Sequence, residues 1–196
     1  VTITITGTNE APEITGAIAD FGFTEAGDAS AQDLSSTGTL RFDDIDTTDV
    51  IDVTHAVQTS AAWSAGTIDG DLQARLEDGF AITGTDKDAP GSVDWSYTVA
   101  DADLDFLAAG ETLTLSYRVT VTDNSGGTAT DDVTITITGT NEAPEITGAI
   151  ADFGFTEAGD ASAQDLSSTG TLSFDDIDTT DVIDVTHAVQ TSAAWS

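Results

Sequence analysis

The chain has 196 residues, with 36 Asp and Glu against 4 Lys and Arg, and a formal net charge of −32. Such a balance excludes binding to nucleic-acid backbones, which requires clustered cations, and to anionic membrane surfaces. The absence of cysteine removes disulfides, thiolate zinc sites and cysteine nucleophiles. The chain has no Met and begins with Val, so it reads as a fragment or a processed chain. It shows no signal peptide and no apolar run long enough to span a bilayer, so no membrane insertion is expected. A hydrophobic content of 39% is enough for a modest core and argues against a wholly disordered acidic tail.

Residues 1–64 recur as residues 133–196, identical at 63 of 64 positions, the one difference being Arg41 against Ser173. The period of 132 residues is that of a whole domain rather than a solenoid repeat. The turn-rich hexapeptides Gly7–Pro12 and Gly139–Pro144 set the frame. Residues 1–12 read as the last strand of a preceding repeat plus its linker. Residues 13–144 form one complete repeat with its trailing linker, and 145–196 a partial next repeat. The expected partners are neighbouring identical repeats in the same chain.

In chain order, a first strand is expected from Ile14 to about Glu25, and a second around Leu40 and Phe42, with Arg41 facing outward. A third carries Ile51, Val53 and Val57, with His55 on the same apolar face. Val93, Trp95, Tyr97 and Val99 alternate inward on a fourth. Asp103–Ala109 allows one helical turn at most, and no long helical period appears. Leu113, Leu115, Tyr117, Val119 and Val121 then alternate with Thr112, Thr114, Ser116, Arg118 and Thr120, the period of two that leaves one face dry and one wet. Asp123–Gly127 is a hairpin turn, and Val133, Ile135 and Ile137 alternate on the last strand. About seven such strands predict an all-β fold, an antiparallel immunoglobulin- or cadherin-like sandwich in tandem repeats. A ten-residue strand spans about 33 Å, so each repeat should be an elongated block.

Counting strand directions collects acidic loops at the ends of that block. Asp43, Asp44 and Asp46 fall beside the leading linker with Asn9 and Glu10. Asp101, Asp103 and Asp105 fall at the opposite end with Asn141 and Glu142 of the trailing linker, where the next repeat presents Asp175, Asp176 and Asp178. Carboxylates gathered this way repel unless they spread into solvent or a hard cation neutralises them. Calcium takes six to eight oxygens in flexible geometry, whereas zinc prefers His and Cys. An EF-hand is excluded, since Asp101-x-Asp103-x-Asp105 lacks the following Gly and its twelfth position is Thr112. The glycine-rich nonapeptide of calcium-binding β-rolls is absent as well.

Thr134–Pro144 resembles the signature end of VCBS-type repeats, the cadherin-like and immunoglobulin-like modules of giant bacterial RTX adhesins. Gly38–Asp46 and Phe106–Glu111, followed by the Tyr117 strand and its turn, match too, so the likeness covers nearly the whole repeat and is weakest between about 60 and 90. It implies a structural extender of an extracellular, type I-secreted surface adhesin, with calcium (Ca2+) stiffening the junctions. Its cadherin parallel implies ligands from Glu25, the Asp101–Asp105 loop, Asn141 and Glu142, and Asp176 and Asp178. Here Glu10 and Glu142 stand where the family usually has Asp.

Two further classes of function compete with a spacer. A glycan-, cell- or self-binding module would use an exposed aromatic, for which Trp63 is the candidate, while Trp95 falls on the inward face. The Thr-x-Thr rows are ordinary for wet strand faces. An enzyme is not expected: His55 reads as a partly buried structural residue, and the repeat holds no second partner that would make it catalytic. Near-identity of 13–64 and 145–196 lets the unique segment 65–132 pair with either, which is the condition for strand exchange or head-to-tail self-association.

Overall fold

A computed structural model describes residues 1–27, 33–84, 87–156, 159 and 165–190. The elements are β1 (Glu13–Gly16), β2 (Phe21–Thr24), β3 (Leu34–Asp43), β4 (Asp52–Trp63), α1 (Gly70–Glu77), β5 (Phe80–Thr83), β6 (Gly91–Val99), a 3-10 turn (Asp101–Asp103), β7 (Thr112–Thr122), β8 (Thr128–Thr138), β9 (Glu145–Gly148) and β10 (Ser173–Asp175). Two four-stranded sheets, ordered β1-β3-β6-β5 and β2-β8-β7-β4, face each other as an immunoglobulin-like sandwich. The period-two pattern decides which side chains lie between them. Leu113, Leu115, Tyr117, Val119 and Val121 of β7 are all fully buried, as are Val133, Ile135 and Ile137 of β8. Leu40 and Phe42 are buried on either side of exposed Arg41, so the single difference between the two copies is at a solvent-facing site.

Aromatic rings fill the middle of the sandwich. Trp95 lies between Phe21 and Phe80, with ring centroids 5.2 and 6.0 Å away and near-parallel planes, and belongs to the core as its alternation predicts. Its cross-strand partner is Gly38, where an added Cβ would come within 2.7 Å of the indole. His55 meets the edges of Phe80 and Tyr117 at 5.3 and 6.3 Å, on the face that alternation assigned, but on the rim strand β4 it stays exposed.

The structure corrects three details. The expected strand from Ile14 to Glu25 is two strands in different sheets. β1 pairs antiparallel with β3, and β2 pairs parallel with β8, so the sandwich is not wholly antiparallel. The crossing is held by carboxylates: Asp131 accepts from the Ile18 amide at 2.7 Å, and Asp20 accepts from the Thr134 amide at 2.7 Å. Second, Val57 is exposed, because β4 bulges beyond it and loses its alternation against β7. Third, a two-turn helix, α1, lies in the region without strand signal. Asp69 caps it by accepting from the Asp71 and Leu72 amides, and it buries only Leu76. At its other end, Tyr97 and Tyr117 both donate to the Leu76 carbonyl, and Tyr117 also to that of Glu77 at 2.8 Å. Burial pushes both phenols well above their ordinary range, so they stay donors at any working pH.

Among the described residues of the partial repeat the only strand pairing is β9–β10, which matches β1–β3. Phe153 and Phe155, the counterparts of Phe21 and Phe23, are exposed.

Tyr117→Phe should lower unfolding free energy in urea by about 1–2 kcal/mol at unchanged denaturant slope, because the Glu77 carbonyl loses its buried donor. An unchanged midpoint would show that the tyrosine–helix contact contributes nothing.

Candidate functional site

At the trailing end of the complete repeat, Glu25, Asp101 and Asp105 each place a carboxylate oxygen within 4.8 Å of the others, and all three residues are buried. Topology explains the meeting. Because β2 runs parallel to β8, both strands finish at the same end of the block, and the Glu25 amide continues the ladder by donating to the Thr138 carbonyl at 3.0 Å. The 3-10 turn after β6 and the turn that follows it over 104–106 deliver Asp101 and Asp105 to that end. Glu25 Oε1 accepts from the amide of Thr140, and from its hydroxyl at 2.7 Å. Asp101 Oδ1 accepts from the Ala26 amide at 3.3 Å.

The linker and the next repeat add to this cluster. The Glu142 amide donates to Asp178 Oδ2 at 2.9 Å, and both side chains are buried. Glu25 Oε2, Asp101 Oδ2, both Glu142 oxygens and Asp178 Oδ1 are buried without a hydrogen-bond partner. Burial, then the Asp178 contact and the charges of Glu25, Asp178 and Asp105, push the Glu142 carboxyl from 4.5 up to about 7. Two carboxylates 4.8 Å apart repel by about 1 kcal/mol in water and by about 3–4 at an effective dielectric near 20. An open cleft of about 440 Å³, lined by Gly27, Glu142, Ala143, Glu145, Asp175 and Asp176, runs along the junction.

The remaining sequence candidates separate into different roles. Asp103 points away and forms a bidentate ion pair with Arg75 at 2.8 Å, so it does not join its loop neighbours. Asp43 and Asp175 accept from the following amides, of Asp44 and Asp176, and are exposed. Asp176 Oδ1 accepts from the Asp178 amide, an Asx-type turn that aims Asp178 at the linker. Asn141 is exposed and donates to the Glu142 carbonyl. At the leading end Asp46 accepts from the Glu10 amide at 2.9 Å, as Asp178 does from Glu142, but Glu10 itself is exposed.

A second acidic group lies at that leading end: Asp44, Asp49 and Asp123, again within 4.8 Å. Asp44 Oδ2 and Asp49 Oδ2 are buried without a hydrogen-bond partner. Desolvation, then Asp123, Asp46 and Asp44, raise the Asp49 pKa. Asp123 is lowered, first by the Asn9 side-chain amide donating at 3.0 Å and then by backbone amides of its turn. Neither Asp49 nor Asp123 was a sequence candidate. Counting strand directions once more, through β7 to its hairpin, would have placed Asp123 beside the 43–49 loop. Trp63 is half-buried, edge-on to Phe106 at 5.0 Å, and its indole N–H donates to Glu111 Oε2 at 2.9 Å.

No family model and no curated protein matches this sequence. Several solved structures are similar at low identity, three of them as follows. One is the PapD-like domain 7 of human CEP192, at 11% identity over 73% of this chain and 94% of that one, with a TM-score of 0.36. Another is AggA, the major subunit of Escherichia coli aggregative adherence fimbriae type I, at 13% over 70% and 99%, TM-score 0.34. The third is the CooA pilin subunit of enterotoxigenic Escherichia coli, at 12% over 66% and 99%, TM-score 0.38. At these scores they add nothing to the fold read from the strands. Among the described residues no helix is long and apolar enough to cross a membrane.

The raised Glu142 carboxyl fixes the sign of a pH dependence. Its docked form holds the proton more tightly than the free form, so the contribution of that proton to docking is fully present below about pH 4.5 and is lost as pH rises through about 7. Amide exchange in residues 176–181 should therefore quicken between pH 5 and 8. Exchange corrected for its intrinsic pH dependence that stays flat would remove Glu142 from the interface.

Proposed function

We propose that the chain is an extender module of an extracellular bacterial surface adhesin, in which calcium at the repeat ends turns a flexible string of sandwiches into a rod. The observation that carries this reading is the trailing cluster. Glu25, Asp101, Asp105, Glu142 and Asp178 come from one repeat, its linker and the next repeat and are all buried, and Glu25, Asp101, Glu142 and Asp178 keep carboxylate oxygens that face no donor. Burying an uncompensated carboxylate is costly. An all-oxygen set suits a hard cation with flexible coordination, and the adjoining cleft admits one with part of its water shell. Glu25, Asp101, Asp105, Glu142 and Asp178 would hold the ion at the trailing end, and Asp44, Asp49 and Asp123 at the leading end. Bound there, calcium supplies the positive charge that lets two repeats approach. The likeness to VCBS-type repeats supports the same reading, with type I secretion and neighbouring identical repeats as partners.

Calcium at a hundred times its Kd should raise the stability of the folded chain by about 2.7 kcal/mol, since it binds the folded state alone. In small-angle scattering calcium should lengthen and stiffen the particle where magnesium at equal ionic strength does not. Asp178→Asn together with Glu142→Gln should abolish the stiffening. If melting and shape ignore calcium, the clusters are not calcium sites.

A further inference from the structure

We propose that Glu111 is a cation-independent clasp on the following repeat, fixing the rotation of one sandwich about the next through the hydroxyl of Thr180. This goes beyond the calcium reading and does not depend on it.

Glu111 Oε1 accepts from Thr180 Oγ1 at 2.6 Å, across the junction, while Oε2 accepts from the Trp63 indole at 2.9 Å and the Ala108 amide at 3.2 Å. Its backbone is equally constrained. The Glu111 amide donates to the Ala108 carbonyl, and its carbonyl accepts from the Gly139 amide at the start of the linker, both at 2.9 Å. Gly139 must be glycine for that approach, since a Cβ would lie 2.1 Å from the Leu107 carbonyl oxygen. One carboxylate oxygen is thus held rigidly by the complete repeat and the other is presented to its neighbour. An acceptor whose rotamer is already locked loses little entropy on binding.

The surroundings make the hydroxyl matter. The 175–181 loop is otherwise acidic, with Asp175, Asp176, Asp178 and Asp181. A carboxylate directed at this loop without a donor would only repel. Thr180 supplies the neutral donor, and Thr179 adds a longer contact of 3.5 Å to the Phe106 carbonyl. Thr48 holds the corresponding place in the leading loop of the complete repeat, so the same donor and acceptor can recur at successive junctions. Trp63, the aromatic that sequence suggested for ligand stacking, acts here as the positioning residue of the clasp.

The test is amide exchange of residues 177–181 in the 196-residue chain, in chelator, with Thr180→Val and Glu111→Gln compared with the parent. Loss of this charge-assisted bond should raise exchange of the loop about five- to tenfold in Thr180→Val, the effect of one hydrogen bond to a charged group near a surface. Melting of the complete repeat should stay at the parent value, since Thr180 lies outside it. Glu111→Gln keeps the shape and serves as the second variant, with the Trp63 indole resonance reporting whether its anchor survives. The clasp is overturned if Thr180→Val leaves loop exchange unchanged in chelator, or if the parent loop already exchanges as free chain there. A chain that binds no calcium but shows the Thr180 effect would sink the calcium reading and leave the clasp standing.

Discussion

Carboxylates can share a buried space only if something of opposite sign or a hydrogen-bond donor stands between them, and the ends of this molecule are organised around that constraint. The interior is an ordinary sandwich core, with full burial of the β7 and β8 inward rows. Its stability is what allows the ends to hold Glu25, Asp101 and Asp105 against one another. Where a donor is available the structure uses it. Thr140 serves Glu25, Arg75 takes Asp103 out of the cluster, and the turn amides of Ser125 and Gly127 serve Asp123. Among the described residues, oxygens without a donor remain on Glu25, Asp101, Glu142 and Asp178 at the trailing end and on Asp44 and Asp49 at the leading end.

The parallel pairing of β2 with β8 has a consequence for assembly. In a strictly antiparallel meander the first strand would be a single ribbon along one sheet. Splitting it lets its second half lie beside the last strand in the same direction, so the first strand's end and the chain's exit to the next repeat are neighbours. Glu25 therefore holds the linker through Thr140, while Asp178 holds it from the other side through the Glu142 amide. The linker is thus hydrogen-bonded on both of its sides.

Much of the sandwich was legible beforehand, because burial in a strand follows a period of two and the Thr/Val/Ile alternation is nearly unbroken from 112 to 122 and 128 to 138. The same periodicity placed Trp95 inside and Arg41 outside. It failed at β1–β2, where each strand has only four residues and a sheet change leaves no periodic trace. It also passed over α1, which at eight residues buries one leucine and has little amphipathic pattern to detect.

The candidate site divides in a similar way. That acidic loops gather at both ends follows from sequence alone, since strand direction alternates and each reversal deposits its loop at one end or the other. Which carboxylates converge does not follow. Asp101, Asp103 and Asp105 are equivalent as sequence, yet the 3-10 turn and the turn after it bury the first and third and give the second to Arg75. Asp49, Asp123 and Glu111 enter only through partners far along the chain, such as Asn9, 114 positions from Asp123, and Thr180, 69 from Glu111. The sequence by itself determined the β-sandwich, the 132-residue self-identity and the charge, because these depend on local alternation, duplication and composition. Only the tertiary structure decided which carboxylates converge, because side-chain convergence depends on how the two sheets and the second copy are set against each other.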